Sequence, residues 1–400
     1  MGNNAGLAGV VREMSSLLSQ DEISNVSLPA TEGWCLPPRC FTSQDFFEAE
    51  VQRIFMRDWV CIGRADRVEN PGDYFTLAIA GEPLLISRDD AGAIRAFSNV
   101  CPHRGSVMIE GQGNAKIFSC PYHGWRFSRD GKLAGAPLMD QTIGFDKANC
   151  RLREIGIEVW GGFAFINFDR NASPLAPRLA GLEKKIARYR FNDFKTDQVA
   201  ELENECNWKI GVENAIDEYH AYIVHRSLEP TKSFYLDKTF AEADPDGMWA
   251  INMTPAIKPY PYVTGTSLAA SPFPAIEGLN DFEMKSFNVL GIFPNTIIAL
   301  NPDSIITLIF FPISPGKTAL HVAMNYPRSS FGIADFERHS KEAMEALIFT
   351  NDQDMYGCRL AQKGLYSSLA QPGRLSYLEE AVRYFDSYIA RRMARYVHQH

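Results

Sequence analysis

The 400-residue sequence lacks an excess of positive charge. Acidic residues outnumber basic ones by 48 to 40, which gives a formal net charge of -8. Nucleic-acid backbones require a basic surface, and the densest basic run, Lys184-Lys185 with Arg188 and Arg190, is short. We interpret this run as a solvated helix face in preference to a docking patch for an acidic partner. The sequence therefore predicts no nucleic-acid partner.

Long hydrophobic runs are also missing. The stretch 7–18 is interrupted by Arg12 and Glu13 and has no basic start of the kind that opens a secretory signal. The most apolar segment, 297–313, is broken at Asn301-Pro302-Asp303, which predicts two strands joined by a turn and no membrane span. Without an export signal we expect the eight cysteines to lie in a reducing cytoplasm, where neighbouring Cys and His indicate a metal before a disulfide.

The length and the hydrophobic pattern predict two folded units. Four hundred residues exceed what one core usually organises. Between 57 and 170, short apolar runs alternate with turn residues and predict an all-β unit. The predicted strands are Trp59–Gly63, Tyr74–Ala78, Pro83–Ser87, Ile94–Phe97, Ile117–Cys120 and Trp160–Phe168.

The remainder, 171–400, mixes helical and strand patterns. Helical periodicity predicts helices over Leu182–Arg190, Asn207–Ile223 and from about Ala334 through Met355, and Ser376 with Glu379 predicts a capping box that opens a last helix. Met284–Tyr326 predicts three or four longer strands. The fold class is therefore α+β, with helices packed on an antiparallel sheet.

Two Cys-His pairs stand out in the all-β unit. One residue separates Cys101 from His103, two separate Cys120 from His123, and sixteen separate the pairs. Each pair follows a predicted strand, so two facing loops could hold a compact metal centre. Structural zinc also takes two Cys and two His, but zinc fingers pair Cys with Cys and His with His. One Cys and one His on each loop favours a Rieske cluster, in which two thiolates bind one iron and two imidazoles bind the other.

The residues around these pairs resemble those of Rieske proteins closely, namely Pro102, Arg104-Gly105 and the run PYHGW at 121–125. In the high-potential Rieske proteins of respiratory complexes, an extra cysteine in each loop forms a disulfide. Ser106 and Tyr122 stand at the matching positions here. The resemblance therefore implies the lower-potential oxygenase branch.

A second constellation lies on the helix predicted to begin near Asn207. His220 and His225 are five residues apart, and an unbroken helix would separate them by about 140°. For both imidazoles to bind one ion, the helix must end or bulge between the two histidines. Two His and a carboxylate from elsewhere would form the facial arrangement of non-haem Fe(II) oxygenases, which leaves positions open for oxygen.

Asp217 precedes His220 by three residues, and its carboxylate can accept the proton on the second ring nitrogen of His220. The predicted buried stripe of this helix is Trp208, Val212, Ala215, Tyr219 and Ile223.

Together these motifs resemble the Rieske non-haem iron oxygenases, over most of the chain from Leu36-Pro37-Pro38 through Gly364-Leu365. The resemblance makes 57–170 the Rieske [2Fe-2S] domain, 171–400 a catalytic helix-grip domain with a sheet wrapped on a long helix, and 1–56 a segment packed on the latter. The family's acid ligand precedes a segment ending in Gln-Gly. Counted back from Gln362, Asp354 holds that position, with Asp352 as the alternative.

The resemblance also implies an activity and partners. A terminal oxygenase of this family carries a [2Fe-2S] cluster and a mononuclear Fe(II), takes electrons from a separate flavin or iron-sulfur reductase, and uses O2 to hydroxylate or N-demethylate a small substrate. In relatives, the acid equivalent to Asp217 links an iron histidine to a cluster histidine of the next subunit. This implies a homotrimer with His123 as the cluster partner. Asn214 would lie near the iron and restrain it or its waters.

The sequence leaves the substrate open. The chain looks nearest to the branch that includes choline monooxygenase and betaine demethylases, whose substrates are quaternary ammonium compounds. An aromatic cage binds such cations, and the candidate walls are Trp249, Tyr260, Tyr262 and Phe273, all of which could equally pack in the core. An aromatic acid remains a competing substrate.

Two functions of other classes also fit parts of the sequence. One is an electron-transfer protein whose larger domain only binds partners, and the other is a zinc hydrolase that uses both sites. Gly111-Gln112-Gly113 is interpreted as a turn and not as a dinucleotide loop, because no strand-turn-helix pattern surrounds it. The other four histidines, His321, His339, His398 and His400, receive no role.

Overall fold

The computed structural model describes residues 17–225, 234–256 and 271–394. Its helices are α1 (Gln20–Ser27), α2 (Arg39–Thr42), α3 (Gln44–Glu50), α4 (Leu175–Ile186), α5 (Trp208–Ile216), α6 (Ala221–Val224), α7 (Asp281–Met284), α8 (Phe336–Leu365) and α9 (Glu380–Ala394). Tyr260, Tyr262, His398, His400 and most of the stretch 7–18 lie outside the described residues. Among the helices described, none combines the length and apolar character needed to cross a membrane.

The predicted all-β region of the chain builds two β-sheets. Its strands are β1 (Val60–Arg64), β2 (Asp73–Ile79), β3 (Glu82–Arg88), β4 (Ile94–Ser98), β5 (Gln112–Asn114), β6 (Phe118–Ser119), β7 (Arg126–Phe127), β8 (Leu133–Gly135), β9 (Glu154–Trp160) and β10 (Phe163–Asn167). Seven of them form an antiparallel sheet in the order β1-β10-β9-β4-β3-β2-β5, and β6, β7 and β8 form a small second sheet.

Two sequence interpretations in this half need correction. The predicted strand Trp160–Phe168 contains the end of β9 and all of β10, because Gly161 and Gly162 turn the chain between them with φ of 57° and 77°. Gly111-Gln112-Gly113 is only partly a turn, since Gln112 opens the edge strand β5. The chain continues from β5 into β6 and not into a helix.

The second half builds one larger antiparallel sheet. Its strands are β11 (Phe194–Asn204), β12 (Phe240–Ala243), β13 (Trp249–Pro255), β14 (Ser286–Ile292), β15 (Thr296–Leu300), β16 (Ile305–Ser314) and β17 (Lys317–Pro327), in the order β11-β17-β16-β15-β14-β13-β12. The predicted region Met284–Tyr326 holds β14 to β17, and β15 and β16 are joined through Asn301-Pro302-Asp303 as predicted. The α+β class is confirmed.

Helices α5, α8 and α9 position the chemistry-bearing residues. α5 packs against β14, β15 and β16 and also contacts α8 and α9. The capping box of Ser376 and Glu379 is present and leads into α9. α4 begins at Leu175, earlier than the predicted Leu182.

The predicted helix Asn207–Ile223 is broken. α5 ends at Ile216, Asp217 is extended, and the short α6 forms a new turn. The sequence placed the break between His220 and His225, whereas the structure places it before His220. As a result the predicted buried stripe holds only for its first part, because Tyr219 is 54% exposed and Ile223 is 61% exposed.

A buried ion pair anchors the start of α5. The Nζ of Lys209 lies 2.6 Å from Oε1 of Glu50, and neither side chain is exposed. Lys209 Nζ also donates to Oδ1 of Asn207 at 2.8 Å. The backbone N–H of Asn207 donates to Oε1 of Gln362 at 2.7 Å, which ties the first turn of α5 to α8. These contacts tie α5, which leads toward His220 and His225, to α8, which carries Asp354.

Candidate metal centres

The two Cys-His loops have matching backbones. The N–H of Gly105 donates to the carbonyl of Cys101 at 2.9 Å, and the N–H of Gly124 donates to the carbonyl of Cys120 at 3.0 Å. Both glycines have positive φ, 73° and 69°, which favours glycine over other residues. The two tight turns place the Cys101 and Cys120 side chains in contact, since each thiol affects the pKa of the other.

The histidines complete the arrangement. The ring centroids of His103 and His123 are 4.6 Å apart, and Trp125 stacks on His103 at 4.7 Å. Nδ1 of His103 is buried and has no hydrogen-bond partner in the part of the chain that the structure describes. Burial works against a thiolate at Cys120, but hydrogen bonds from the backbone N–H of Tyr122, from the Cys101 thiol and from the backbone N–H of His123 outweigh it and lower the pKa of this thiol. The two thiols are neighbours and so are the two imidazoles, and two Cys with two His are the donor set of a Rieske cluster.

The side chains of His220, His225 and Asp354 lie together in the structure. Nε2 of His225 lies 2.8 Å from Oδ1 of Asp354, and Nε2 of His220 lies 3.3 Å from the same oxygen. One ligand atom from each of the three residues lies within 4.8 Å of the others. Asp352, the alternative acid, is exposed on α8 and does not belong to this group. His220 and His225 are the two residues that flank the single turn α6, and both imidazoles face Asp354.

In His220 and His225, the ring nitrogen that does not face Asp354, Nδ1, makes a hydrogen bond. Nδ1–H of His220 donates to Oδ2 of Asp217 at 3.2 Å, and Nδ1–H of His225 donates to Oε1 of Gln353 at 2.9 Å. In both rings Nε2 is directed at the shared centre, and a hydrogen bond at the other nitrogen is the usual geometry of metal-binding histidines. Gln353 was missed by the sequence analysis, although it directly precedes Asp354.

The charge of the triad fits a cation. Burial works against a charged Asp354, but hydrogen bonds from His220 and His225 outweigh it and lower the pKa of this carboxyl. Burial also disfavours protonated His220, but hydrogen bonds to Asp217 and Asp354 raise its pKa to about 10. The triad therefore attracts positive charge, which a divalent metal would supply in place of a proton. Two imidazoles and one carboxylate are a suitable donor set for Fe(II).

A largely apolar cavity of about 170 Å³ opens beside the triad. Its walls come from α5, α6 and α8 and from strands β14, β15 and β16. Phe234, Phe287 and Phe310 line it, and the rings of Phe234 and Phe287 lie 5.9 Å apart. Asn214, Asn351 and Glu218 add polar groups to its lining. Burial raises the pKa of Glu218 to about 8.

The predicted cage walls are wrong where the structure describes them. Trp249 is 4% exposed and Phe273 is 5% exposed, and neither lines the cavity. Phe273 packs on Tyr326 at 4.4 Å instead. The rings that do line the cavity come from separate segments, so no local pattern in the sequence marks them.

Two family models match this chain. The Rieske [2Fe-2S] domain matches residues 58–153, and the catalytic domain of the ring-hydroxylating alpha subunit matches residues 191–395. The chain belongs to the ring-hydroxylating alpha subunit family. The resemblance expected from the sequence is therefore confirmed. A Rieske [2Fe-2S] cluster and a mononuclear iron are the cofactors of this pair of domains.

Named relatives of this alpha subunit include oxygenases of quaternary ammonium compounds. The carnitine monooxygenase oxygenase subunit of Escherichia coli K12 is 36% identical over 197 residues, which is 48% of this chain and 53% of that protein. The chain thus matches about half the length of these relatives. The chloroplastic choline monooxygenase of Amaranthus tricolor is 26% identical over 374 residues, covering 90% of this chain and 78% of that protein.

The chain is also similar to a solved structure of a quaternary ammonium oxygenase. It is a quaternary ammonium Rieske monooxygenase described in connection with carnitine oxidation by gut microbiota. It superimposes with a TM-score of 0.78 at 26% identity, over 94% of this chain and 98% of that chain.

Proposed function

We propose that this alpha subunit is the terminal component of a Rieske oxygenase, which uses O2 and reductase electrons to hydroxylate or N-demethylate a small substrate. The observation that carries the proposal is the convergence of His220, His225 and Asp354 at the end of an apolar cavity. A protein that only transfers electrons would have no use for such a cavity beside a second metal site. The division into 1–56, 57–170 and 171–400 is part of the same proposal.

Each set of residues has a distinct role in this proposal. Cys101, His103, Cys120 and His123 would hold the cluster, and His220, His225 and Asp354 would hold the mononuclear iron. The cluster supplies stored electrons and the iron supplies an oxygen-binding centre. Asp217 and Gln353 keep the imidazoles oriented through their Nδ1 protons. Asn214 lines the cavity next to the triad and would position the iron's waters.

We further propose a homotrimer in which His123 faces the partner subunit's Asp217. Large apolar side chains are exposed near both centres, including Tyr122 (56%) beside the cluster and Tyr219 (54%) beside Asp217. On α8, Phe349 is 57% exposed and Tyr356 is 60% exposed. Exposed apolar surface of this kind is typical of protein interfaces. A flavin or iron-sulfur reductase would supply the electrons.

The cavity favours a quaternary ammonium substrate over an aromatic acid. Three phenylalanine rings can surround a cation. Among the described lining residues there is no Lys or Arg to pair with a substrate carboxylate. The named relatives that act on carnitine and choline support the same substrate class. The eight free cysteines suit the reducing cytoplasm that we propose as its location.

Metal analysis of anaerobically prepared protein tests the oxygenase proposal. We expect about three irons and two acid-labile sulfides per chain. His220→Ala should lower this to about two irons and leave the paramagnetic signal of the reduced cluster unchanged. Zinc in place of iron, or two irons in the wild type, would contradict the proposal.

Oxygen uptake tests the substrate class. Purified protein with a reductase and NADH is offered choline, carnitine, γ-butyrobetaine and benzoate, and products are identified by mass. We expect uptake coupled to product only with quaternary ammonium compounds. Coupled turnover of benzoate alone would favour the aromatic acid.

A further inference from the structure

We propose that Gly211 positions the ring of Phe310 and thereby sets the length of the substrate that the cavity accepts. This inference rests on the proposed function in one respect, namely that this cavity is the substrate site. Gly211 lies in the first half of α5 and Phe310 lies in β16, and both residues line the cavity. The contact between them closes the cavity at one end.

Glycine is an unfavourable residue in the interior of a helix, because its backbone loses more conformational freedom on folding than that of alanine. Gly211 has a helical backbone, without the positive φ that glycine adopts readily. Its N–H donates to the carbonyl of Asn207 at 3.4 Å. The backbone at this position would therefore accept alanine, and the reason for a glycine is the space around it.

The ring of Phe310 occupies the space that a side chain at position 211 would need. A Cβ at Gly211 would lie 2.6 Å from Cε1 and 2.9 Å from Cδ1 of this ring. Non-bonded carbon atoms are normally about 3.5–4.0 Å apart. Phe310 is buried, and protein interiors are closely packed, so a displaced ring has to move into the empty space beside it. That space is the cavity, which a methyl group at position 211 would therefore shorten.

The register of the sheet places Phe310 at one end of the cavity. Ile306 and Phe310 lie on the same face of β16 because side chains alternate along a strand, and both line the cavity. Ile306, Ala299 and Val289 form one row across β16, β15 and β14. Phe287 lies two residues from that row along β14, and Phe310 lies four residues from it in the opposite direction along β16. A substrate that lies along the sheet therefore meets Phe287 at one end and Phe310 at the other.

Binding of a homologous series to the iron-loaded, anaerobic protein tests this role. The probes are alkyltrimethylammonium ions from tetramethylammonium to octyltrimethylammonium, which carry the same charge and differ in length. In the wild type we expect calorimetry to show an affinity that rises about fourfold with each CH₂ group until the chain fills the cavity. Gly211→Ala should lower this length limit by about one carbon and weaken the longest wild-type ligand by at least about tenfold, while the affinity for tetramethylammonium stays the same.

Two further variants separate the length of the cavity from effects on the helix. Gly357→Ala adds the same methyl group inside α8, where no described atom beyond the local helix backbone and chain neighbours lies within 4 Å of the new Cβ, and should leave the limit unchanged. Gly211→Ala combined with Phe310→Leu should restore the limit, because the smaller side chain leaves room for the Cβ. A crystal structure of Gly211→Ala should show the Phe310 ring shifted by about 1 Å into the cavity.

The outcomes separate this inference from the function on which it rests. If iron-loaded Gly211→Ala keeps the wild-type limit, Gly211 has no such role while the oxygenase proposal stands. If no alkyltrimethylammonium ion binds the wild type, the proposed substrate class fails, and the same variants are compared with n-alkylbenzenes, which probe the apolar length without a charge. An unchanged limit in that series, or no binding at all, overturns the inference. Should Gly211→Ala not fold, Phe310→Leu decides, because it should raise the limit and an unchanged limit overturns the role.

Discussion

Asp217 holds His220 by two hydrogen bonds to the same carboxylate oxygen. Oδ2 of Asp217 accepts from Nδ1–H of the His220 ring at 3.2 Å and from the His220 backbone N–H at 3.2 Å. Oδ1 accepts from the N–H of Tyr219 at 2.5 Å. One carboxylate thus forms the turn that follows α5 and orients an imidazole of the candidate iron site. Orientation and any electronic coupling to a neighbouring cluster depend on the same atoms.

Asp217→Ala is expected to abolish turnover and to leave the cluster and most of the iron in place at saturating Fe(II). The remaining ligands still bind iron, but His220 loses its orienting partner, a change that typically costs about 10–100-fold in metal affinity or activity. The measurement is the rate at which the chemically reduced cluster is reoxidised by O2 in the presence of substrate. Asp217→Asn keeps an acceptor for Nδ1–H, so substantial activity in that variant would assign Asp217 to orientation alone. Product formation by Asp217→Ala would rule out the bridging role.

Asp354→Asn should lose the mononuclear iron, because the third ligand charge is removed from a buried site. Asp352→Asn is the matched control, two residues away on the same helix and exposed. Iron and sulfide are measured in both, and we expect about two irons per chain in the first and about three in the second. The reverse pattern would make Asp352 the ligand.

The sequence predicted those parts of the candidate sites that short motifs determine. Cys101 and His103, like Cys120 and His123, are neighbours in the chain, so a local pattern indicates their site. The predicted end of α5 was wrong because helical periodicity depends only on the apolar residues. The Asp217 carboxylate accepts hydrogen bonds from the backbone N–H groups of Tyr219 and His220, and these bonds replace those of a continuing helix. Tyr219 and Ile223 fit the stripe and are nevertheless exposed.

The cavity could not be predicted, for a different reason. Its aromatic wall combines Phe234 with Phe287 on β14 and Phe310 on β16, and these rings share one wall only in the folded domain. Trp249 and Phe273 were equally plausible from composition. Asp354 was predicted, with Asp352 as the alternative, from the family resemblance, whereas Gln353 carried no signal beyond its place beside Asp354.

Gln353→Leu is expected to weaken Fe(II) binding by about 10–100-fold. The variant removes the acceptor of Nδ1–H of His225 and frees the imidazole to rotate. Competition of the protein with a chelator for Fe(II) measures the affinity, and the cluster spectrum reports on folding. Gln353→Glu keeps an oxygen at this position and should retain the affinity. Equal affinity in Gln353→Leu and the wild type would show that the hydrogen bond does not support the site.

Lys209→Met should destabilise the protein by about 3–5 kcal/mol, because it leaves Glu50 buried without its partner. Both side chains are fully buried in the wild type. The free energy of unfolding is measured by denaturant titration. Lys341→Met is the control, since that side chain is 73% exposed and its loss should cost less than about 0.5 kcal/mol. The double variant Glu50→Gln with Lys209→Met should recover part of the lost free energy of unfolding. If Lys209→Met alone lowers the free energy of unfolding by less than about 1 kcal/mol, the anchoring role is contradicted.

Asp386 should make a contribution to the free energy of unfolding that falls as pH rises toward neutrality. Burial raises the pKa of this carboxyl to about 7 and raises that of its neighbour Glu213 well above the ordinary range. Between about pH 4, where an unfolded Asp titrates, and pH 7, the folded chain binds more protons than the unfolded chain, so raising the pH disfavours folding. Asp386→Asn replaces the group with a permanently neutral one. We expect the free energy of unfolding of this variant to depend less steeply on pH between 5 and 8 than that of the wild type. Denaturant titration at each pH measures it. An equally steep dependence in the variant would show that Asp386 is charged in the folded state throughout.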